Sequence, residues 1–81
     1  MKLSKEELLD ILKECCNDVS FEYNGKPCGI TPLVEIGIPT YHVWCGDEQF
    51  AFASAETTMK TRFFDGECLN DICEQLEFDV C

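Results

Sequence analysis

Tyr41-His42-Val43-Trp44-Cys45-Gly46-Asp47-Glu48-Gln49-Phe50-Ala51-Phe52-Ala53 reads as two short strands joined by a tight turn. It holds the only tryptophan and the only histidine of the chain. Side chains alternate across a strand, so the length of the turn decides which residues share a face. With Gly46-Asp47 as a two-residue turn, Cys45 pairs with Glu48, Val43 with Phe50 and Tyr41 with Phe52, and these make the face the rest of the chain covers. His42 then pairs with Ala51, and Trp44 with Gln49, on the opposite face. A turn one residue longer would exchange the two faces.

A second hairpin precedes it. Val19, Phe21 and Tyr23 alternate with Ser20, Glu22 and Asn24, as in a strand with one buried face. Asn24-Gly25 suits a turn that needs positive φ at both central residues. It pairs Tyr23 with Lys26, Phe21 with Cys28 and Val19 with Ile30, so inward residues meet inward residues. Pro27 and Pro32 cannot donate to a ladder, which predicts that the return strand is short or at an edge. Leu33-Val34-Glu35-Ile36-Gly37-Ile38, bounded by Gly37 and Pro39, reads as a short strand or a loop lying over the core.

Helical patterns flank these strands. Ser4 and Glu7 form a capping box, with Leu3 and Leu8 at the staple positions. Leu8, Ile11, Leu12 and Cys15 follow at helical spacing, widened by Leu9 and Cys16, and the helix is expected to stop near Asn17. Glu6, Asp10, Lys13 and Glu14 take its other face. Ser54 is placed to cap a short turn over Ala55–Met59, and Phe63-Phe64 returns to the core. After a turn at Asp65-Gly66, Leu69, Ile72, Cys73 and Leu76 repeat at helical spacing, with Glu67, Asn70, Asp71 and Glu74 outward. Glu77-Phe78-Asp79-Val80-Cys81 alternates as an edge strand. The expected fold is one α+β domain spanning residues 1–81. It has an N-terminal helix, an antiparallel sheet of three to five short strands and a C-terminal helix, with the helices packed on one sheet face.

Size and charge narrow the function. A chain of 81 residues has little room for the cleft of roughly 300–1,000 Å³ that a small-molecule site occupies. That argues against a self-contained enzyme and for a binding module or an oligomer. Sixteen acidic residues against six basic ones give a net charge of −10. Direct nucleic-acid binding through a basic patch is not expected. A cationic partner, or mimicry of nucleic-acid charge, is compatible with the sign. No run reaches the roughly 20 apolar residues of a membrane span, and the N-terminus lacks the apolar segment of a signal peptide. A cytoplasmic location without a membrane partner is expected. Seven cysteines are an odd number, and without an export signal they are read as reduced, small hydrophobic side chains.

The residues Trp44-Cys45-Gly46-Asp47, together with Phe63-Phe64-Asp65-Gly66-Glu67-Cys68-Leu69-Asn70-Asp71-Ile72, are similar to small uncharacterised proteins of bacteria and their prophages. The resemblance covers most of the chain. It implies a small α+β domain in an accessory or prophage setting, and it carries no activity or catalytic residue.

Chemistry-bearing patterns are sparse. Closely spaced Cys-x₂-Cys pairs of zinc sites are absent. Cys15 and Cys16 diverge by about 100° on a helix, and Cys68 and Cys73 by about 140°. A metal site would have to join distant cysteines to His42. Cys68 stands near a helix N-terminus, which favours a thiolate, but Asp65 and Glu67 oppose that charge. Gly25, Gly29, Gly37, Gly46 and Gly66 are isolated and read as turn glycines, not a phosphate loop. No cofactor, metal or catalytic set is assigned. Two surfaces are candidates for function. One is the face of His42, Trp44 and Gln49, as an interface for a protein partner or a second copy. The other is the acidic surface of Asp65, Glu67, Asp71 and Glu74. The first makes the protein an interaction module. The second makes it an acidic decoy that inhibits a nucleic-acid-binding protein. A thiol or metal-binding protein is the remaining alternative.

Overall fold

Three two-residue turns lay out the sheet. The structure, a computed structural model, describes residues 1–15 and 17–80. Its elements in chain order are α1 (Lys5–Glu14), β1 (Val19–Tyr23), β2 (Lys26–Glu35), β3 (Ile38–Cys45), β4 (Glu48–Phe52), α2 (Ala55–Lys60), α3 (Leu69–Ile72) and β5 (Asp79–Val80). A single 3₁₀ turn, Cys73–Gln75, extends α3. The strand order is β4-β3-β2-β1-β5, with antiparallel neighbours throughout. Asn24 and Gly25 turn β1 into β2 with φ of 54° and 76°. Gly46 opens the β3–β4 turn at φ 62°, the place where a Gly-first hairpin turn needs positive φ. Both registers expected from the sequence are observed, from Val19↔Ile30 to Tyr23↔Lys26 and from Tyr41↔Phe52 to Cys45↔Glu48.

The β2 strand departs from expectation. It is ten residues long and lies in the middle of the sheet, despite Pro27 and Pro32. The reason is where each missing donor points. The Pro27 carbonyl accepts from Gly46 N at 2.9 Å, so the Pro27 backbone faces β3, one residue past the last pair, Cys28↔Cys45. Alternation then aims Pro32 at β1, whose pairing stops at Ile30, and Pro39 at β4, whose pairing stops at Tyr41. Pro32 and Pro39 sit where their neighbours have already ended, so neither costs a ladder bond, and Pro27 lies just past the end of the β2–β3 pairing.

The stretch Leu33–Ile38 does not lie over the core. It extends β2 and β3 into a hairpin turned by Ile36-Gly37, and Leu33, Val34, Ile36 and Ile38 are exposed, Ile36 completely.

All helices pack on the sheet face of Val19, Phe21, Cys28, Ile30, Tyr41, Val43, Cys45 and Phe52, which are buried with Leu8, Leu12, Met59, Leu69, Ile72 and Cys73. Phe21 meets Phe64 and Phe78 at 5.4 and 5.3 Å between ring centroids, separations favourable to tilted and edge contacts. Phe50 lies on this face but stays 58% exposed. It sits on the edge strand, and α2 covers only the Phe52 end, so Phe50 leans on Phe52 at 4.9 Å instead of entering the core.

The capping box forms as the sequence implies. Glu7 N donates to Ser4 Oγ at 3.1 Å, and Ser4 N donates to Glu7 Oε1 at 2.9 Å. α1 ends at Glu14, earlier than expected, because Cys15 turns left-handed at φ 54°. The readings of Cys16 and Cys81 fall outside the described residues. Among the described residues, no helix is long and apolar enough to cross a membrane.

Candidate functional site

Helices on one face leave the other face of the sheet uncovered. There β3 carries His42 and Trp44, and β4 carries Gln49 opposite Trp44. His42 and Gln49 are exposed and Trp44 is half-buried. The tryptophan is partly buried because its ring lies across the neighbouring strand. Gly29 is its cross-strand partner, and a Cβ there would collide with the indole and stand 2.7 Å from the Val19 carbonyl oxygen. Gly29 is therefore not a turn glycine. It is the seat of Trp44 inside β2, and its missing side chain leaves room for the ring.

Trp44 borders two open hollows on this face. On one side, a hollow of about 430 Å³ has Thr31, His42, Trp44 and Gln49 in its lining. On the other, about 500 Å³ is bordered by Trp44, Ser20, Glu22, Glu77 and Asp79. The second hollow exists because β5 joins the sheet beside β1, pairing Ser20 with Asp79. Glu77 is held by the N-terminal ammonium at 2.9 Å. That hydrogen bond and charge keep its carboxyl below the usual range. No ion pair engages Glu22 or Asp79 among the described residues. The sequence pointed to His42, Trp44 and Gln49. It missed Gly29, although a glycine inside an alternating stretch signals close backbone approach. It also missed Glu22, which the β1–β2 pairing brings to the hollow of Trp44, and Asp79, which only the β1–β5 pairing brings there.

Three of the four acidic residues singled out by sequence have local partners. Asp65 accepts from Asn24 Nδ2 at 2.9 Å and from Lys26 Nζ at 3.0 Å, and these bonds hold its pKa down. It ties the β1–β2 turn to the turn before α3. Glu67 lies 3.9 Å from Arg62 Nη1. Asp71 accepts the thiol of Cys68 at 3.3 Å. Glu74 is exposed on the 3₁₀ turn.

Cys68 is buried at the N-cap of α3, a helix of only four residues, so little dipole acts on its sulfur. Burial pushes the Cys73 thiol up. Tyr41 is pushed up to about 12, first by burial and then by its 3.2 Å bond with Cys15. Among the described residues, no group of three or more His, Cys, Asp or Glu is arranged to hold a metal ion. Comparison with family models, curated proteins and solved structures finds no match. The resemblance to small bacterial and prophage proteins therefore brings no residue role to the site.

Proposed function

We propose that this chain is a protein-interaction module that docks a positively charged segment of a partner across the helix-free sheet face, centred on Trp44. The observation that carries this reading is the placement of Trp44 beside Glu22 and Asp79. A half-exposed indole that shares an open hollow with unpaired carboxylates suits a lysine or arginine side chain, through ring-face attraction and charge. Aromatic residues at the centre of a contact also contribute disproportionately to binding. The net charge of −10 steers a cationic partner inward and opposes a second acidic copy. Cys15, Cys28, Cys45, Cys68 and Cys73 are free thiols, which suits a reducing, cytoplasmic setting such as that of a small accessory or prophage protein.

The test uses a lysine- and arginine-rich peptide as probe, followed by the emission of Trp44. Binding is expected to shift that emission, to weaken about tenfold in Trp44→Ala, and to weaken with salt. Salt-sensitive binding that Trp44→Ala leaves intact would move the function to the acidic surface, as in a nucleic-acid decoy. A dimer mass in light scattering that Trp44→Ala reduces to monomer would assign the face to a second copy. Either result overturns the reading.

A further inference from the structure

Cys28 and Cys45 stand opposite each other as the last pair of the β2–β3 ladder. Alternation along β2 and β3 points their side chains away from Trp44. Both point to the helix-covered side and are almost fully buried. Their sulfurs lie 3.2 Å apart, with the Cys28 thiol donating to Cys45 Sγ. Alternation along β2 makes them a non-hydrogen-bonded pair, the kind whose Cα atoms approach to about 4.5 Å. A disulfide accepts Cα separations of roughly 4.4–6.8 Å, so the sulfurs can close to bonding distance without moving the strands apart. Among the described residues no other two cysteines are in hydrogen-bonding contact.

We propose that Cys28 and Cys45 form a dithiol modification site, which a small-molecule disulfide converts into a covalent cross-link between β2 and β3. The pair closes the β2–β3 ladder at this end. Beyond it only the Gly46 N to Pro27 O bond closes the end. Cys45 borders an open hollow with Lys26, Gly46, Asp47 and Glu48, and with both thiols buried a reagent reaches them when this end of the sheet opens locally. Burial and its bond to Cys45 push the Cys28 thiol up to about 12.

The chemistry balances in two exchanges. The Cys45 thiolate attacks one sulfur of the reagent, breaks its S–S bond, releases one small thiolate and becomes a mixed disulfide. The Cys28 thiolate then attacks Cys45 Sγ and releases the second small thiolate. Each protein thiol gives up one proton, each released thiolate takes one, and two electrons pass from the protein sulfurs to the reagent.

The experiment treats the folded protein with oxidised glutathione at neutral pH, quenches with acid and digests with a Glu-specific protease without reduction. Cleavage after Glu22, Glu35 and Glu48 places Cys28 on peptide 23–35 and Cys45 on peptide 36–48. The expected product joins these two peptides, lacks two hydrogens and separates again with dithiothreitol. In Cys28→Ala, Cys45 is expected to keep one glutathione. Should that variant not fold, the wild-type peptide map decides alone. Free thiols on both peptides, or links through other cysteines ahead of this one, would overturn the proposal.

Discussion

A side chain at position 29 has nowhere to go. The indole of Trp44 and the Val19 carbonyl oxygen occupy the space a Cβ would take, and the carbonyl cannot retreat while β1 stays paired with β2, so the indole has to move. Gly29→Ala is therefore expected to cost about 1–3 kcal/mol, the range for overpacking a fitted site. It should also lift Trp44 into water. A urea titration gives the first and a red shift of the single tryptophan's emission gives the second. In the Trp44→Ala background the cost should shrink, because residues in contact do not contribute additively. Unchanged emission in Gly29→Ala would mean the ring is not seated there. The site was half legible at this scale. His42, Trp44 and Gln49 follow from one hairpin register. Gly29 stands between Pro27 and Pro32 in a stretch that looks like turn sequence, and only the pairing of β2 with β3 puts it under the indole.

Elements succeed or fail at their ends. Ile36 is the residue least suited to its place, a β-branched side chain at φ 53° and fully exposed. Asparagine tolerates that conformation far better. Ile36→Asn should raise stability by about 1 kcal/mol, read as a higher Tm, without altering the sheet. At the other extreme, Ser4 closes a complete capping box. Ser4→Ala should lower stability by about 1 kcal/mol, measurable by the same melt. The helices and hairpins were legible because caps and two-residue turns are local signals. The length of β2 was not, since a proline's effect depends on which neighbour its nitrogen faces and where that neighbour stops. The C-terminal helix was read correctly by its buried side, Leu69, Ile72, Cys73 and Leu76. Its regular length was not, because Cys68 offers no side-chain bond to cap it and the last turn tightens to 3₁₀.

At the scale of the whole molecule the alkaline limb of stability is the clearest consequence of burying thiols and a phenol in an acidic protein. Tyr41 and Cys28 are both pushed up to about 12, from ordinary values of 10.0 and 9.0, with burial as the leading cause. A raised value for a neutral acid means that the folded state holds its proton when the unfolded chain has released it. The stability these groups contribute is therefore complete below pH 9.0 and is lost as pH climbs toward about 12. Charge acts in the same direction. The chain already carries −10 at neutral pH, and each further deprotonation adds to self-repulsion in the compact state. Unfolding between pH 9 and 12 should thus be cooperative, with tyrosinate absorbance rising together with the loss of near-UV ellipticity. Tyr41→Phe removes one of the two protons that resist release, so its alkaline midpoint should lie at higher pH relative to its own neutral stability. Tyrosinate signal that develops fully while the fold persists would place the Tyr41 hydroxyl in water, against its burial and its bond to Cys15.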